Sequence, residues 1–90
     1  MPVIKMPSSF KSYTQGVLEV PVQGKTVTEV MQELVTLYPS LQPHLFNSQG
    51  CLRPFVNLFL GEENIKDLQG LETPLEQRDV LRLVPSVAGG

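Results

Sequence analysis

The sequence predicts one small α+β domain in which a helix covers one face of a mixed sheet of four to five strands. Its length of 90 residues suits a single domain with one compact core. Short apolar segments suited to β-strands lie near the start and in the second half of the chain, with one segment of helical periodicity between them. The predicted order of elements is therefore ββαββ.

The first two strands are predicted on either side of a turn-rich loop. Residues Val3 to Met6 are mostly apolar and end before a proline, which cannot donate a hydrogen bond to a neighbouring strand. Ser8 to Gly16 is rich in turn-forming residues, and we expect Phe10 and Tyr13 to fold back from this loop as anchors. Val17 to Val22 is the second strand, so the two strands form a hairpin.

The spacing of Thr26 and Glu29 predicts the start of the helix. In this capping-box spacing, each side chain accepts a hydrogen bond from the backbone N–H of the other residue. Pro39 ends the helix, and the segment from there to Pro54 is predicted to be a loop with one short helical turn. The apolar residues of the helix recur at a spacing that places them on one face: Val27, Val30, Met31, Leu34 and Tyr38.

The clearest strand pattern covers Phe55 to Leu60, and the last strand covers Val80 to Val84. Between them we predict a turn at Gly61 to Asn64 and a brief strand beginning at Ile65. Period two gives the two main strands a core face with Val56, Leu58, Leu60, Leu81 and Leu83, and an outer face with Phe55, Asn57, Phe59, Val80, Arg82 and Val84. With the helix on one face, this order is that of the β-grasp, or ubiquitin-like, fold.

The composition argues against several classes of partner. Lysine and arginine number 7 against 9 aspartate and glutamate, so the net charge of −2 provides no basic field for nucleic acid or anionic lipid. The longest apolar run is far shorter than the ~20 residues of a membrane span. The start of the chain lacks the basic and apolar segments of an export signal, so we expect a cytoplasmic protein without nucleic acid or membrane partners.

Side chains that could carry chemistry are few. Cys51 is the one cysteine, has no cationic neighbour in the sequence and is interpreted as structural. His44 is the one histidine and is interpreted as a surface residue. The acidic residues between positions 62 and 72 lack the spacing of a calcium-binding loop, so we assign no metal site.

The end of the chain carries the strongest functional signal. We divide the chain into a domain over residues 1–84 and a flexible tail over residues 85–90, which ends in Gly89 and Gly90. Six extended residues reach about 20 Å at ~3.3 Å each, enough to enter a groove in a partner enzyme. Glycine lacks a Cβ and fits a narrow channel. A terminal Gly-Gly is a weak signal alone, but it gains weight directly after the last strand of a ubiquitin-like order.

Several motifs resemble those of the ThiS/MoaD family of ubiquitin-like sulfur carriers, over essentially the whole chain. The matching segments are Ser12 to Gly16, Val56-Asn57, Thr73-Pro74-Leu75, Asp79-Val80 and Pro85 to Gly90. The ending, together with Arg53 to Asn57, is most similar to the branch that supplies sulfur for cysteine biosynthesis. Gln77 to Asp79 departs from the Asp-Gly-Asp of many relatives because it has no glycine.

The resemblance implies that the working group is the carboxylate of Gly90. A carboxylate is ionised at neutral pH and is a poor electrophile, so it needs activation. In the family, an E1-like adenylating enzyme of the ThiF/MoeB type consumes ATP to form an acyl-adenylate, and sulfide or a persulfide displaces AMP to leave a thiocarboxylate. The carrier, which binds no cofactor and is not an enzyme, then donates sulfur to a biosynthetic enzyme. Cysteine is the favoured product, with thiamin thiazole and molybdopterin as alternatives.

Two sets of residues are assigned to partner binding. The first is the segment that enters the partner: Val87, Ala88 and Gly89. The second lies on the outer sheet face: Phe59, Arg82 and Val84. Exposed apolar groups on neighbouring strands indicate a docking surface unless a loop covers them.

The sequence also fits two other functions. A ubiquitin-like modifier would join its activated carboxyl group to a lysine amine. A non-catalytic synthase subunit would keep its tail inserted in a partner's active site. Both would use the same Gly-Gly ending.

Overall fold

The computed structural model describes residues 1 to 85 and shows a five-stranded mixed sheet. Its elements in chain order are β1 (Val3–Lys5), β2 (Glu19–Pro21), α1 (Val27–Leu37), α2 (Gln42–Leu45), β3 (Val56–Leu60), β4 (Glu63–Asn64) and β5 (Val80–Pro85). The order across the sheet is β2-β1-β5-β3-β4, with β1 and β5 parallel and the other neighbours antiparallel. The predicted ββαββ order and mixed sheet are confirmed. None of the helices within residues 1–85 has the length and hydropathy to cross a membrane.

The N-terminus of α1 is capped as predicted, with one difference. The N–H of Glu29 donates to the Thr26 hydroxyl at 3.3 Å. The Glu29 carboxylate accepts from the N–H of Lys25, at 2.8 Å, and not from that of Thr26. The backbone is extended at Thr26, with φ −133° and ψ 165°, and the carboxylate reaches past the cap to the residue before it. Lys25 and Thr26, the two residues before the helix, are thereby both hydrogen-bonded to Glu29 in its first turn.

The core lies between α1 and the inner face of the sheet. Leu58 on β3 lies opposite Leu83 on β5, and neither is more than 2% exposed. Ile4 on β1 is likewise paired with Leu81 on β5, and both are fully buried. The helix contributes four fully buried residues: Val27, Val30, Met31 and Leu34. The predicted strand register is therefore confirmed on the core face.

The connections contain more regular structure than predicted. Ser8–Thr14 forms a 3-10 segment where a loop was expected, and its Phe10 and Tyr13 pack against the core as anchors. Between α1 and Pro54 there are two short helical pieces, Pro39–Leu41 and α2, where one was predicted. Apolar side chains at the ends of these pieces, Leu41 and Leu45, are fully buried, so core packing stabilises them.

The prediction of a brief strand beginning at Ile65 is wrong. The strand is β4, which ends at Asn64, and Ile65 begins a 3-10 turn. The Asn64 side chain accepts a hydrogen bond from the N–H of Lys66 at 2.9 Å, and this contact starts the turn. Ile65 is buried, so its apolar character reflects the core and not a strand.

The turn before β5 closes without a glycine. The N–H of Glu76 donates to the Asp79 carboxylate at 2.7 Å, and the N–H of Asp79 donates to the Glu76 carbonyl at 3.1 Å. Neither Gln77 nor Arg78 adopts a positive φ. This turn therefore requires no glycine at either position.

Candidate docking face and tail attachment

β5 is the strand that leads toward the predicted working group. It lies in the middle of the sheet, between β1 and β3, and it ends at Pro85, one residue into the segment assigned to the tail. The predicted threading residues Val87, Ala88 and Gly89, and the predicted working residue Gly90, lie outside the described residues. The structure describes the chain as far as Pro85, the last residue of β5.

The structure brings Phe59, Arg82 and Val84 together on the outer face of the sheet. Phe59 on β3 lies opposite Arg82 on β5, and the guanidinium carbon of Arg82 is 5.5 Å from the centre of the Phe59 ring. This distance suits a cation–π contact. Val84 lies opposite Asn57 and is 37% exposed.

The outer face is accessible to a partner over much of its area. α1 packs on the other face, where the core residues lie. On the outer face Arg82 and Val84 are exposed, while Phe59 is half-buried. Asn64 on β4 donates from its side-chain amide to the Asn57 side-chain oxygen at 3.1 Å, which links two polar groups beside Phe59. The exposed residues form a mixed polar and apolar surface next to the end of β5.

A second cationic residue, Lys5, joins this face. Lys5 ends β1 and is paired in register with Arg82 on the parallel strand β5. A groove of about 420 Å³ runs beside the two, lined by Lys5, Met6, Pro7, Ser9, Arg82, Leu83, Val84 and Pro85. Sequence reasoning did not find Lys5, because no local pattern shows that the first and last strands are neighbours.

His44 is half-buried, and its ring makes contacts that the sequence did not predict. Its imidazole ring stacks on the ring of Tyr13, with 4.2 Å between centroids and 29° between planes. Phe10 approaches the same imidazole at 6.2 Å and meets Tyr13 edge-on at 5.9 Å. This three-ring cluster holds the Ser8–Thr14 segment against α2, which is a structural role.

Cys51 is exposed, and its interpretation as structural stays a prediction. It follows a tight turn in which the Asn47 side chain accepts from the N–H groups of Gln49 and Cys51, at 2.9 and 3.0 Å. Within residues 1–85, no three histidine, cysteine or acidic side chains are grouped closely enough to hold a metal ion.

A β-grasp sheet whose central strand leads toward a Gly-Gly ending defines the class of ubiquitin-like carriers and modifiers. The ThiS family model matches residues 4–90, nearly the entire chain. The chain therefore belongs to the ThiS family, as its motifs indicated.

Curated relatives and solved structures agree with this assignment. The sulfur carrier protein CysO of Mycobacterium tuberculosis is 29% identical over 89 residues, covering 97% of this chain and 96% of the relative. A chain in the crystal structure of the Amycolatopsis orientalis BexX/CysO complex superposes with a TM-score of 0.89 at 26% identity, covering all of both chains. The small archaeal modifier protein SAMP1 of Methanosarcina acetivorans gives a TM-score of 0.88 at 28% identity, covering 99% of this chain and 95% of SAMP1. The β-grasp prediction is thus confirmed, and the chain is a sulfur carrier protein of the ThiS type.

Proposed function

We propose that this chain carries sulfur as a thiocarboxylate on Gly90 and delivers it to a biosynthetic enzyme. The observation that supports the proposal most directly is that the family match continues through residue 90, so it includes the Gly-Gly ending. The central position of β5 adds to this, because a tail continuing from it has a rigid base. Rigid attachment favours precise presentation of a reactive group.

The proposed reaction takes place at the carboxyl carbon of Gly90. An E1-like adenylating enzyme joins the Gly90 carboxylate to the AMP portion of ATP, with release of pyrophosphate. Sulfide, as HS⁻, then attacks the acyl carbon, AMP leaves with the bonding electrons, and the S–H proton is lost to solvent. The product is a thiocarboxylate, whose sulfur is more nucleophilic than the carboxylate oxygen and can attack an activated carbon in the receiving enzyme.

The chain would act as a carrier and not as an enzyme. The adenylating enzyme supplies ATP binding and acid–base groups, whereas this chain supplies the carboxylate, the threading residues Val87 to Gly89 and a docking face. We assign that face to Phe59, Arg82 and Val84, which the fold brings together. The existence of a BexX/CysO complex supports the idea that carriers of this fold work in contact with other proteins.

Cysteine biosynthesis is the pathway we favour. The support is the similarity to CysO proteins, at 29% identity over 89 residues. SAMP1 is a modifier protein of nearly the same structural similarity, so conjugation to a lysine amine is the second candidate. A permanently inserted synthase subunit is a third, and it would copurify with its partner in fixed stoichiometry.

Mass spectrometry of the intact protein tests the proposal. The chain is incubated with ATP, the E1-like enzyme of the same organism and a sulfide donor. We expect an accurate mass that matches exchange of one oxygen for sulfur, located on Gly90 by C-terminal fragments. Oxidation at Cys51 or a methionine has the same nominal mass but a different location. Attachment of a whole protein through Gly90 would instead support the modifier function.

A further inference from the structure

Basic side chains gather around the end of the sheet where β5 ends. Lys5 and Arg82 are register partners on adjacent strands and both are exposed. Arg53 lies just before β3, whose first residue is the register partner of Pro85. Lys66 reaches the same region, since its ammonium donates to the Pro54 carbonyl at 3.3 Å. We refer to Lys5, Arg53, Lys66 and Arg82 as the basic rim.

The opposite end of the sheet is acidic. There β3 ends, β5 begins, and α1 starts beside Thr73, whose carbonyl accepts from the N–H of Val27 at 3.1 Å. Five carboxylates belong to these turns and to the first turn of the helix: Glu29, Glu62, Glu63, Glu76 and Asp79. They outnumber the two basic residues of the same turns, Lys25 and Arg78. At the rim end, four basic residues face two nearby carboxylates, Glu19 opposite Lys5 and Asp67 next to Lys66. The net charge of −2 is therefore unevenly distributed between the two ends of the sheet.

None of the four rim residues forms an ion pair within residues 1–85. The ion pair found among residues 1–85 joins Arg78 to Glu76 at 3.9 Å, at the acidic end. On the rim, Arg82 contacts the Phe59 ring and the Arg53 Nε donates to the Pro43 carbonyl, so these contacts leave the positive charges in place. Glu19 is the register partner of Lys5 on the edge strand, but no ion pair joins them.

We propose that the basic rim docks on an acidic protein surface surrounding the channel that receives the tail in the E1-like enzyme. This inference rests on the proposed function. A charged rim around the base of the tail would attract the partner over several ångströms and would turn the correct end of the carrier toward it. The acidic end would be repelled by the same surface, which disfavours the reversed approach.

A protein partner fits these charges better than a nucleic acid or a membrane does. Nucleic acids and anionic lipids are bound mainly through many basic groups that neutralise their charge, whereas this chain has a net charge of −2 and four basic residues on its rim. A small acidic patch on a protein is enough to match four basic groups.

The test compares two pairs of charge reversals that change the net charge equally. Lys5→Glu/Arg82→Glu alters the rim, and Lys25→Glu/Arg78→Glu alters the opposite end. We measure kcat/KM for pyrophosphate release by the E1-like enzyme of the same organism, from ~50 mM to ~0.5 M salt. The rim variant is expected to lose about tenfold or more at low salt and about threefold or less at high salt, whereas the control stays within about twofold of the unmodified chain.

A second rim variant separates charge from packing. Lys5→Glu/Lys66→Glu leaves the Arg82–Phe59 contact intact and should show the same salt-dependent loss. Urea unfolding checks that every variant compared is folded.

The results distinguish failure of this inference from failure of the proposed function. Equal kcat/KM and salt dependence for the rim and control variants would overturn the inference while leaving the proposed function standing. Binding of the unmodified chain to a DNA duplex or to phosphatidylserine vesicles at ~0.15 M salt, abolished by the rim reversals, would show that the rim serves another class of partner. Failure of the unmodified chain to be adenylated would overturn the proposed function and the inference with it.

Discussion

At the scale of single residues, Gly24 is held more tightly than the other glycines in the described part of the chain. A Cβ added at Gly24 would lie 2.7 Å from the Glu29 Cβ and 2.9 Å from the Val30 backbone nitrogen. Gly61 also has a positive φ, of 64°, but has no atom within 4 Å of such a Cβ. The segment that contains Gly24 therefore passes so close to the first turn of α1 that only glycine fits there.

We therefore expect Gly24→Ala to destabilise the fold by about 3 kcal/mol, because backbone atoms of α1 must move. Gly61→Ala should cost only about 1 kcal/mol, the strain of a positive φ without a clash. Urea unfolding measures both. Equal losses for the two substitutions would mean that the close approach at Gly24 does not exist in solution.

A residue-scale prediction also concerns the outer face. Phe59→Ala should lower the affinity for the adenylating enzyme by more than ~1 kcal/mol, because an aromatic ring next to an arginine is a composition that interfaces favour at their energetic centres. The matched control is Leu37→Ala, an exposed apolar residue on α1 that is 50% exposed. Calorimetry on folded protein measures affinity, and equal values for both variants would remove Phe59 from the interface.

At the scale of elements, β3 and β5 form the centre of the fold. Leu58 and Leu83 face each other across these strands and pack under α1. A leucine removed from such a site leaves a cavity that the neighbouring elements cannot fully close. The stability of the sheet and the position of the base of the tail therefore depend on the same pair of strands.

Leu58→Ala and Leu83→Ala should each lower the free energy of unfolding by ~2 to 5 kcal/mol. The double variant should lose less than the sum, because the two side chains share one cavity. Val84→Ala, on the exposed face of β5, should change it by about 0.5 kcal/mol or less. Chemical denaturation measures all four, and a loss below about 1 kcal/mol for both leucines would contradict the observed register.

At the scale of the whole molecule, folding and chemistry are assigned to separate parts of the chain. The described core residues lie between positions 4 and 83, whereas the proposed chemistry takes place at position 90. The charged side chains are also separated in space. The basic rim lies near the end of β5, and the acidic turns lie at the opposite end of the sheet. In the proposed function, the fold would serve as a base that presents one end of the chain to its partner.

Deletion of Gly90 should abolish adenylation and leave the free energy of unfolding unchanged within about 0.5 kcal/mol. The reason is that the deletion removes the proposed reacting carboxyl group from its position without touching the core. ATP–pyrophosphate exchange and urea unfolding are measured on the same sample. Pyrophosphate exchange at the normal rate by the shortened chain would exclude Gly90 as the reacting residue.

The sequence by itself determined the features that depend on neighbours along the chain. The helix start at Thr26, the inward leucines of the last strand and the Gly-Gly ending can all be recognised from spacing, capping and alternation. The family motifs suggest the chemistry that is proposed at Gly90. These signals are local, so they can be recognised without knowing which elements contact each other.

Only the tertiary structure decided the contacts between distant segments. The parallel pairing of β1 with β5 places Lys5 beside Arg82, and the packing of the first connection places Tyr13 on His44. It also left Cys51 exposed and made Ile65 part of a buried turn. These outcomes depend on strand register and on how the elements fill one core, and no short stretch of sequence contains that information.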